Sequence, residues 1–123
     1  MRRLITAWFR SFHVAFRGIG MMLKSEINAR IHLAITIIVI VAGMTFQIDR
    51  IEWLAVIIAI TVVWISEAFN TAIEALCDLV TPEQDPKIGR IKDIAAGAVL
   101  LAAGGAVGVA ILVFGRRLLA LLG

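Results

Sequence analysis

Three long apolar runs decide most of what this chain can become. Ile31 to Ile48 has 18 residues and Ile94 to Phe114 has 21, and neither contains a charged residue. A third run begins at Trp53 and stays apolar to Ile65 before charges enter it. A bilayer core of about 30 Å needs roughly 20 apolar residues in an α-helix. A backbone without water must satisfy its own hydrogen bonds, and a helix does so within one segment. The hydrophobic share of 61% exceeds the roughly 45–50% of a soluble domain, so the excess faces lipid. The expected architecture is an all-α membrane protein with spans at 31–48, 53–80 and 94–114. They form a single domain over 1–123, with a loop at 81–93.

Residues 1–30 complete the outline. Trp8, Phe12, Ala15, Ile19, Met22 and Leu23 recur at helical spacing, while Arg10, Ser11, His13, Arg17 and Lys24 fall mostly elsewhere. That pattern describes an amphipathic helix lying in the membrane interface. The same charges interrupt any signal-peptide core. Asp49-Arg50-Ile51-Glu52 is the expected turn between the first two spans, with Trp53 as an interfacial anchor. Gly104 and Gly108 form a G-x-x-x-G, which suits close helix packing in lipid. The lone Cys77 excludes an intrachain disulfide and reads as packing.

Charge orients the chain. Arg2, Arg3, Arg10, Arg17, Lys24 and Arg30 precede the first span, and Lys87, Arg90 and Lys92 precede the third. With three spans these two regions share a side, against Arg50, Arg116 and Arg117 on the other. The positive-inside rule makes the N-terminal side cytoplasmic. The net charge of +3 therefore points to anionic lipid head groups and not to nucleic acid.

The second span carries the chemistry. Glu67, Asn70, Glu74 and Asp78 are spaced by three, four and four residues. At about 100° per residue they fall inside a wedge of about 80°. Glu67 lies roughly 21 Å along the helix from Trp53. Carboxylates within a bilayer cost about 2.5–3.5 kcal/mol each on insertion scales, so such a stripe faces a bundle interior, a cation or a partner. A solvated helix end plus one intramembrane salt bridge would be the plainer account. Glu26 precedes the first span and Lys92-Asp93 precedes the third, so three segments bring charged groups to one membrane depth. Carboxylate oxygens suit Mg²⁺, a lysine suits phosphate, and a carboxylate is the natural base for a hydroxyl nucleophile. A Lys-Asp pair at a helix start is also a common cap and a snorkelling lysine. No G-x-x-x-x-G-K-[ST] occurs, Gly18-Ile19-Gly20 is only G-x-G, and no H-R-D or D-F-G is present. A nucleotide site here is built some other way.

Glu67-Ala68-Phe69-Asn70-Thr71-Ala72-Ile73-Glu74, followed by Asp78, resembles the E-x-x-N-[ST]-A-I-E-x-x-x-D signature of the prokaryotic diacylglycerol kinase and undecaprenol kinase family. Lys92-Asp93-Ile94-Ala95-Ala96-Gly97-Ala98-Val99 is similar to the family's K-D-x-x-[AS]-x-A-V segment. Ser11-Phe12, Ala15 to Ile19 and Glu26-Ile27-Asn28 resemble its surface-helix motif.

The resemblance implies a homotrimer of three-span subunits in the bacterial inner (cell) membrane, multi-pass, with shared active sites on the cytoplasmic side. It implies transfer of the γ-phosphoryl group of ATP, with Mg²⁺, to the hydroxyl of a membrane lipid alcohol. By position, Glu26 and Glu74 would hold metal, Glu67 would be the base at the lipid hydroxyl, and Asn70 would support the carboxylates. Lys92 and Asp93 would contact the nucleotide. Glu83, Gln84 and Asp85 match the loop stretch that approaches the nucleotide in the diacylglycerol branch, without that branch's aromatic and histidine residues. Ala95 to Ala98 and Ser11-Phe12 look more like the undecaprenol branch. The other branch often has a serine where Ala96 stands. A proton-coupled transporter is the alternative, but its carboxylates would sit at the midplane and no inverted repeat is visible. A scaffold using Gly104 and Gly108 would leave Glu67 and Glu74 dispensable.

Overall fold

The computed structural model describes residues 1–81 and 85–123, which form four helices. These are α1 Arg2–Ser25, α2 Ile27–Thr45, α3 Arg50–Val80 and α4 Pro86–Leu122. The last three are long and apolar enough to cross a membrane. At 1.5 Å per residue, α3 and α4 run roughly 46 and 55 Å, so both project beyond a hydrocarbon core of about 30 Å.

Each junction has a local cause. Between α1 and α2 stands one residue, Glu26, in extended conformation (φ −104°, ψ 123°). Its N–H still bonds Met22 at 2.9 Å, so the chain changes direction there without losing that donor. The expected interfacial helix over 1–30 thus ends at Ser25, and residues 27–30 are the first turn of a span. The expected turn at 49–52 is instead the start of α3. Asp49 accepts from the N–H groups of Ile51 (2.8 Å) and Glu52 (2.9 Å), and Glu52 Oε2 accepts from Asp49 N–H (2.9 Å). This reciprocal capping box satisfies first-turn donors that would otherwise be orphaned. The turn lies just before it, where Gln47 takes a positive φ of 49°.

The loop expected over 81–93 is shorter, because α4 begins at Pro86. Proline is favourable in a first helical turn, having no N–H to leave orphaned. Asp85 caps that helix, accepting from Lys87 N–H at 2.7 Å. Asp85 therefore has a structural role, while Glu83 and Gln84 lie outside the described residues. Lys87, Arg90, Lys92 and Asp93 all stand on α4 and not in a loop.

α4 packs along α3 as an antiparallel pair, α2 covers part of α3, and α1 touches α2 and α3 lightly. The tightest core lies near the α2–α3 turn, where Ile48, Val56, Val113 and Phe114 are buried among Val39, Phe46 and Ile60. Trp53, expected as an interfacial anchor, is half-buried and lies on Gly43. A Cβ at Gly43 would stand 2.7 Å from the indole Cη2. Only glycine lets the ring seat there. Cys77 is buried and free. Gly104 and Gly108 are exposed, with nothing within 4 Å of where a Cβ would stand, so that face is unused inside the subunit. On α1, Met22 is buried, whereas Trp8, Phe9, Phe12 and Phe16 are exposed along the helix.

Candidate active site

The polar stripe of α3 runs from deep burial to open surface. Glu67 is 1% exposed and is the most completely buried large side chain described. Asn70, one turn on, is also buried, Glu74 is half-buried, and Asp78 is exposed. Helical periodicity alone aligns them. What turns the stripe inward is α2, crossing opposite Glu67, and the α1–α2 junction at Glu26.

Hydrogen bonding within the stripe is sparse. Asn70 Nδ2 donates to Glu74 Oε1 at 3.1 Å, which orients the carboxylate. Glu67 Oε2, Asn70 Oδ1 and Thr71 Oγ1 are buried with no hydrogen-bond partner. Such atoms are rare in folded proteins, because an unpaired buried acceptor keeps its desolvation cost of about 1–3 kcal/mol. Glu26 and Glu74 both lie close enough for their charges to act on Glu67, as does His32. Lys92 of α4 reaches across to Asp78, Nζ to Oδ1 at 2.5 Å. A lysine has three N–H donors, so this pairing leaves capacity for phosphate oxygens. Asp93 is exposed on the same turn of α4.

Of the residues singled out in the sequence, the structure gathers Glu67, Asn70 and Glu74 on one face with Glu26 nearby. It places Lys92 on Asp78 and leaves Asp93 at the surface. No set of three or more His, Cys, Asp or Glu side chains converges as a metal cage among the described residues. Mg²⁺ does not need one, since it usually takes one or two carboxylates plus substrate phosphates and water. An all-oxygen donor set with unpartnered buried oxygens beside it suits that hard cation.

One neighbour of the stripe was missed in the sequence. His32 of α2 points its Nε2 at Glu67 Oε2, 3.8 Å away. The available signal was an imidazole inside an otherwise uncharged span, where polar side chains are costly. A groove between α1 and α3, walled by Gly18, Met22, Ser25, Ala68, Thr71 and Ala75, opens along the same part of α3.

These residues lie in a stretch that the sequence profile of prokaryotic diacylglycerol kinase matches over residues 13–114. The chain belongs to that family. It is 36% identical to the undecaprenol kinase of Bacillus subtilis (strain 168) over 98 residues, 80% of each chain. It is 35% identical to the diacylglycerol kinase of Synechocystis sp. over 94 residues, 76% of this chain and 54% of that longer relative. Membership makes the protein a membrane-bound lipid kinase, a phosphotransferase with an alcohol acceptor, and sets aside the transporter and scaffold alternatives. A kinase family implies ATP as the phosphoryl donor.

Proposed function

We infer that the protein transfers the γ-phosphoryl group of MgATP to the hydroxyl of undecaprenol at the cytoplasmic face of the bacterial inner membrane. The observation that carries the chemistry is Glu67, a carboxylate buried inside a span with one oxygen unpartnered. Undecaprenol is preferred over diacylglycerol because the relative named for it is matched over the larger share of its length.

In this reading Glu67 accepts the proton of the lipid hydroxyl. The lipid oxygen then bonds to the γ-phosphorus and the bond to the β-phosphate oxygen breaks, releasing ADP. Glu26 and Glu74 would hold Mg²⁺, which when bound neutralises charge on the phosphoryl oxygens. Asn70 keeps Glu74 oriented through its amide. Lys92 and Asp93 face the nucleotide, the lysine as a point charge toward phosphate. The lipid reaches Glu67 sideways along the α1–α3 groove, whereas ATP comes from water at the end carrying the α3–α4 connection. The large exposed apolar faces, with Gly104 and Gly108 among them, support association into a homotrimer whose neighbouring subunits complete each site.

The test is radiolabelled phosphate transfer from ATP in mixed micelles, with undecaprenol and diacylglycerol in parallel and Mg²⁺ titrated. Phosphorylated undecaprenol from wild type, absent with Glu67→Gln and Glu74→Gln, is the expected result. Transfer to diacylglycerol alone would overturn the choice of lipid. Full activity in Glu67→Gln would overturn the role of the base.

A further inference from the structure

The chemistry above gives no role to the polar side chain that faces Glu67. His32 sits on the second turn of α2, 16% exposed, and faces the catalytic carboxylate at 3.8 Å. That distance is about 1 Å longer than an N–H···O bond. The oxygen it faces, Glu67 Oε2, is buried and has no hydrogen-bond partner.

Two neighbouring contacts show that this juxtaposition is built. One turn on along α2 and one turn back along α3, Trp64 Nε1 donates to Thr36 Oγ1 at 3.0 Å. Thr36 and His32 are four apart on α2, and Trp64 and Glu67 are three apart on α3, so each pair shares a helix face. The Trp64–Thr36 bond therefore pins the register that sets His32 against Glu67. The Thr36 hydroxyl also donates to the backbone carbonyl of His32 at 2.7 Å, tying that turn of α2 to the same bond.

The imidazole has free space beside it in which to reorient. It borders a cavity of about 160 Å³ between α2, α3 and α4, whose other lining side chains include Val39, Ile60, Val63, Ala106 and Phe114. The one other polar residue in these walls is Thr36, whose hydroxyl is already engaged with Trp64 Nε1 and the His32 carbonyl; the rest are apolar and offer the imidazole N–H no acceptor. Hydrogen bonds around a catalytic base are often long before substrate binds and tighten with it.

We propose that His32 is a positioning residue for phosphoryl transfer: its Nε2–H donates to Glu67 Oε2 and turns Oε1 toward the lipid hydroxyl. His32 touches neither lipid nor nucleotide. It restricts the carboxylate to the orientation in which proton transfer is productive, and misplacement of about 1 Å at a reacting group can cost on the order of a hundredfold in rate. A neutral donor of similar reach performs the same task, so glutamine substitutes for histidine where alanine does not. The inference rests on Glu67 being the base.

Both are tested with the full-length protein in mixed micelles. kcat, the KM for ATP and the KM for lipid are measured for wild type, His32→Ala, His32→Gln, Glu67→Gln and the His32→Ala/Glu67→Gln double variant. Thermal unfolding and size-exclusion elution accompany each. His32→Ala is expected to lower kcat by about tenfold or more with the KM for ATP unchanged. His32→Gln recovers most of that loss, and the double variant is no slower than Glu67→Gln, because groups acting as a unit are not additive. Should His32→Ala fail to fold, His32→Asn replaces it: the shorter amide is impaired while glutamine is active.

Wild-type kcat in His32→Ala overturns the inference. So do equal losses in alanine and glutamine, or a double variant whose losses multiply. Wild-type activity in Glu67→Gln overturns the base and the inference together. An inactive Glu67→Gln beside a fully active His32→Ala overturns the inference alone.

Discussion

The two ends of the α3–α4 pair handle polar side chains in opposite ways. At the end near the α2–α3 turn, Asp49, Glu52 and Arg117 are partnered at or near the surface. Asp49 and Glu52 cap α3 reciprocally, and Arg117 Nη1 and Nη2 grip the two Glu52 oxygens at 2.8 and 2.9 Å. Arg117 also donates to the Val113 carbonyl. The core of Ile48, Val56, Val113 and Phe114 closes beneath them. At the other end Glu67, Asn70 and Thr71 each keep a buried oxygen unpartnered. One end is assembled as a frame. The other holds acceptors that a proton, a cation or a donor side chain must complete, and the proposed chemistry is placed there.

Glu67→Gln is the most severe way to sharpen this contrast. Its kcat should fall by about a hundredfold or more, the usual contribution of a positioned base. Its melting temperature should hold or rise, since a neutral amide is less costly to bury than an unpaired carboxylate. A melting temperature far below wild type would make Glu67 part of the frame and break the contrast. Glu74→Gln should also abolish turnover at low Mg²⁺, with partial recovery as Mg²⁺ is raised.

Gly43→Ala probes the frame end. The added methyl would meet the Trp53 ring at 2.7–2.8 Å, and overpacking of this kind costs about 1–3 kcal/mol. Unfolding in detergent should detect that loss, while kcat per folded molecule stays near wild type. A large fall in kcat would mean that the two ends are coupled. Arg117→Gln should act the same way and more weakly, because the Arg117–Glu52 pair is partly exposed at 32% and 23%. A lower melting temperature at unchanged kcat is the expected signature.

Lys92→Met should produce the smallest change in stability. Its partner Asp78 is 67% exposed, and surface ion pairs contribute little. No measurable shift in melting temperature is expected, together with a higher KM for ATP. A clear loss of stability would place Lys92 with the frame.

Much of this was legible in the sequence because it is local. Uncharged runs of bilayer length specify spanning helices wherever they occur, since no other single segment satisfies its own backbone in lipid. The 3.6-residue repeat places Glu67, Asn70 and Glu74 on one face regardless of what lies opposite. Boundaries were less legible. Asp49, Glu52, Asp85 and Pro86 looked like turn residues, yet they start helices, because capping and turn chemistry draw on the same residue types.

What only the tertiary structure decided is which faces meet. Arg117 and Glu52 are 65 positions apart, and nothing in either neighbourhood announces the other. Trp53 suits a membrane interface by type, but Gly43 leaves room for its ring and the indole packs inward. Glu67 meets His32 in the same α2–α3 register that forms the Trp64–Thr36 bond. In lipid an apolar face gains little by choosing a neighbouring helix over acyl chains, so hydrophobic patterning does not select partners. Close packing at small residues and a few cross-helix hydrogen bonds make that selection, and they exist only once the helices are side by side.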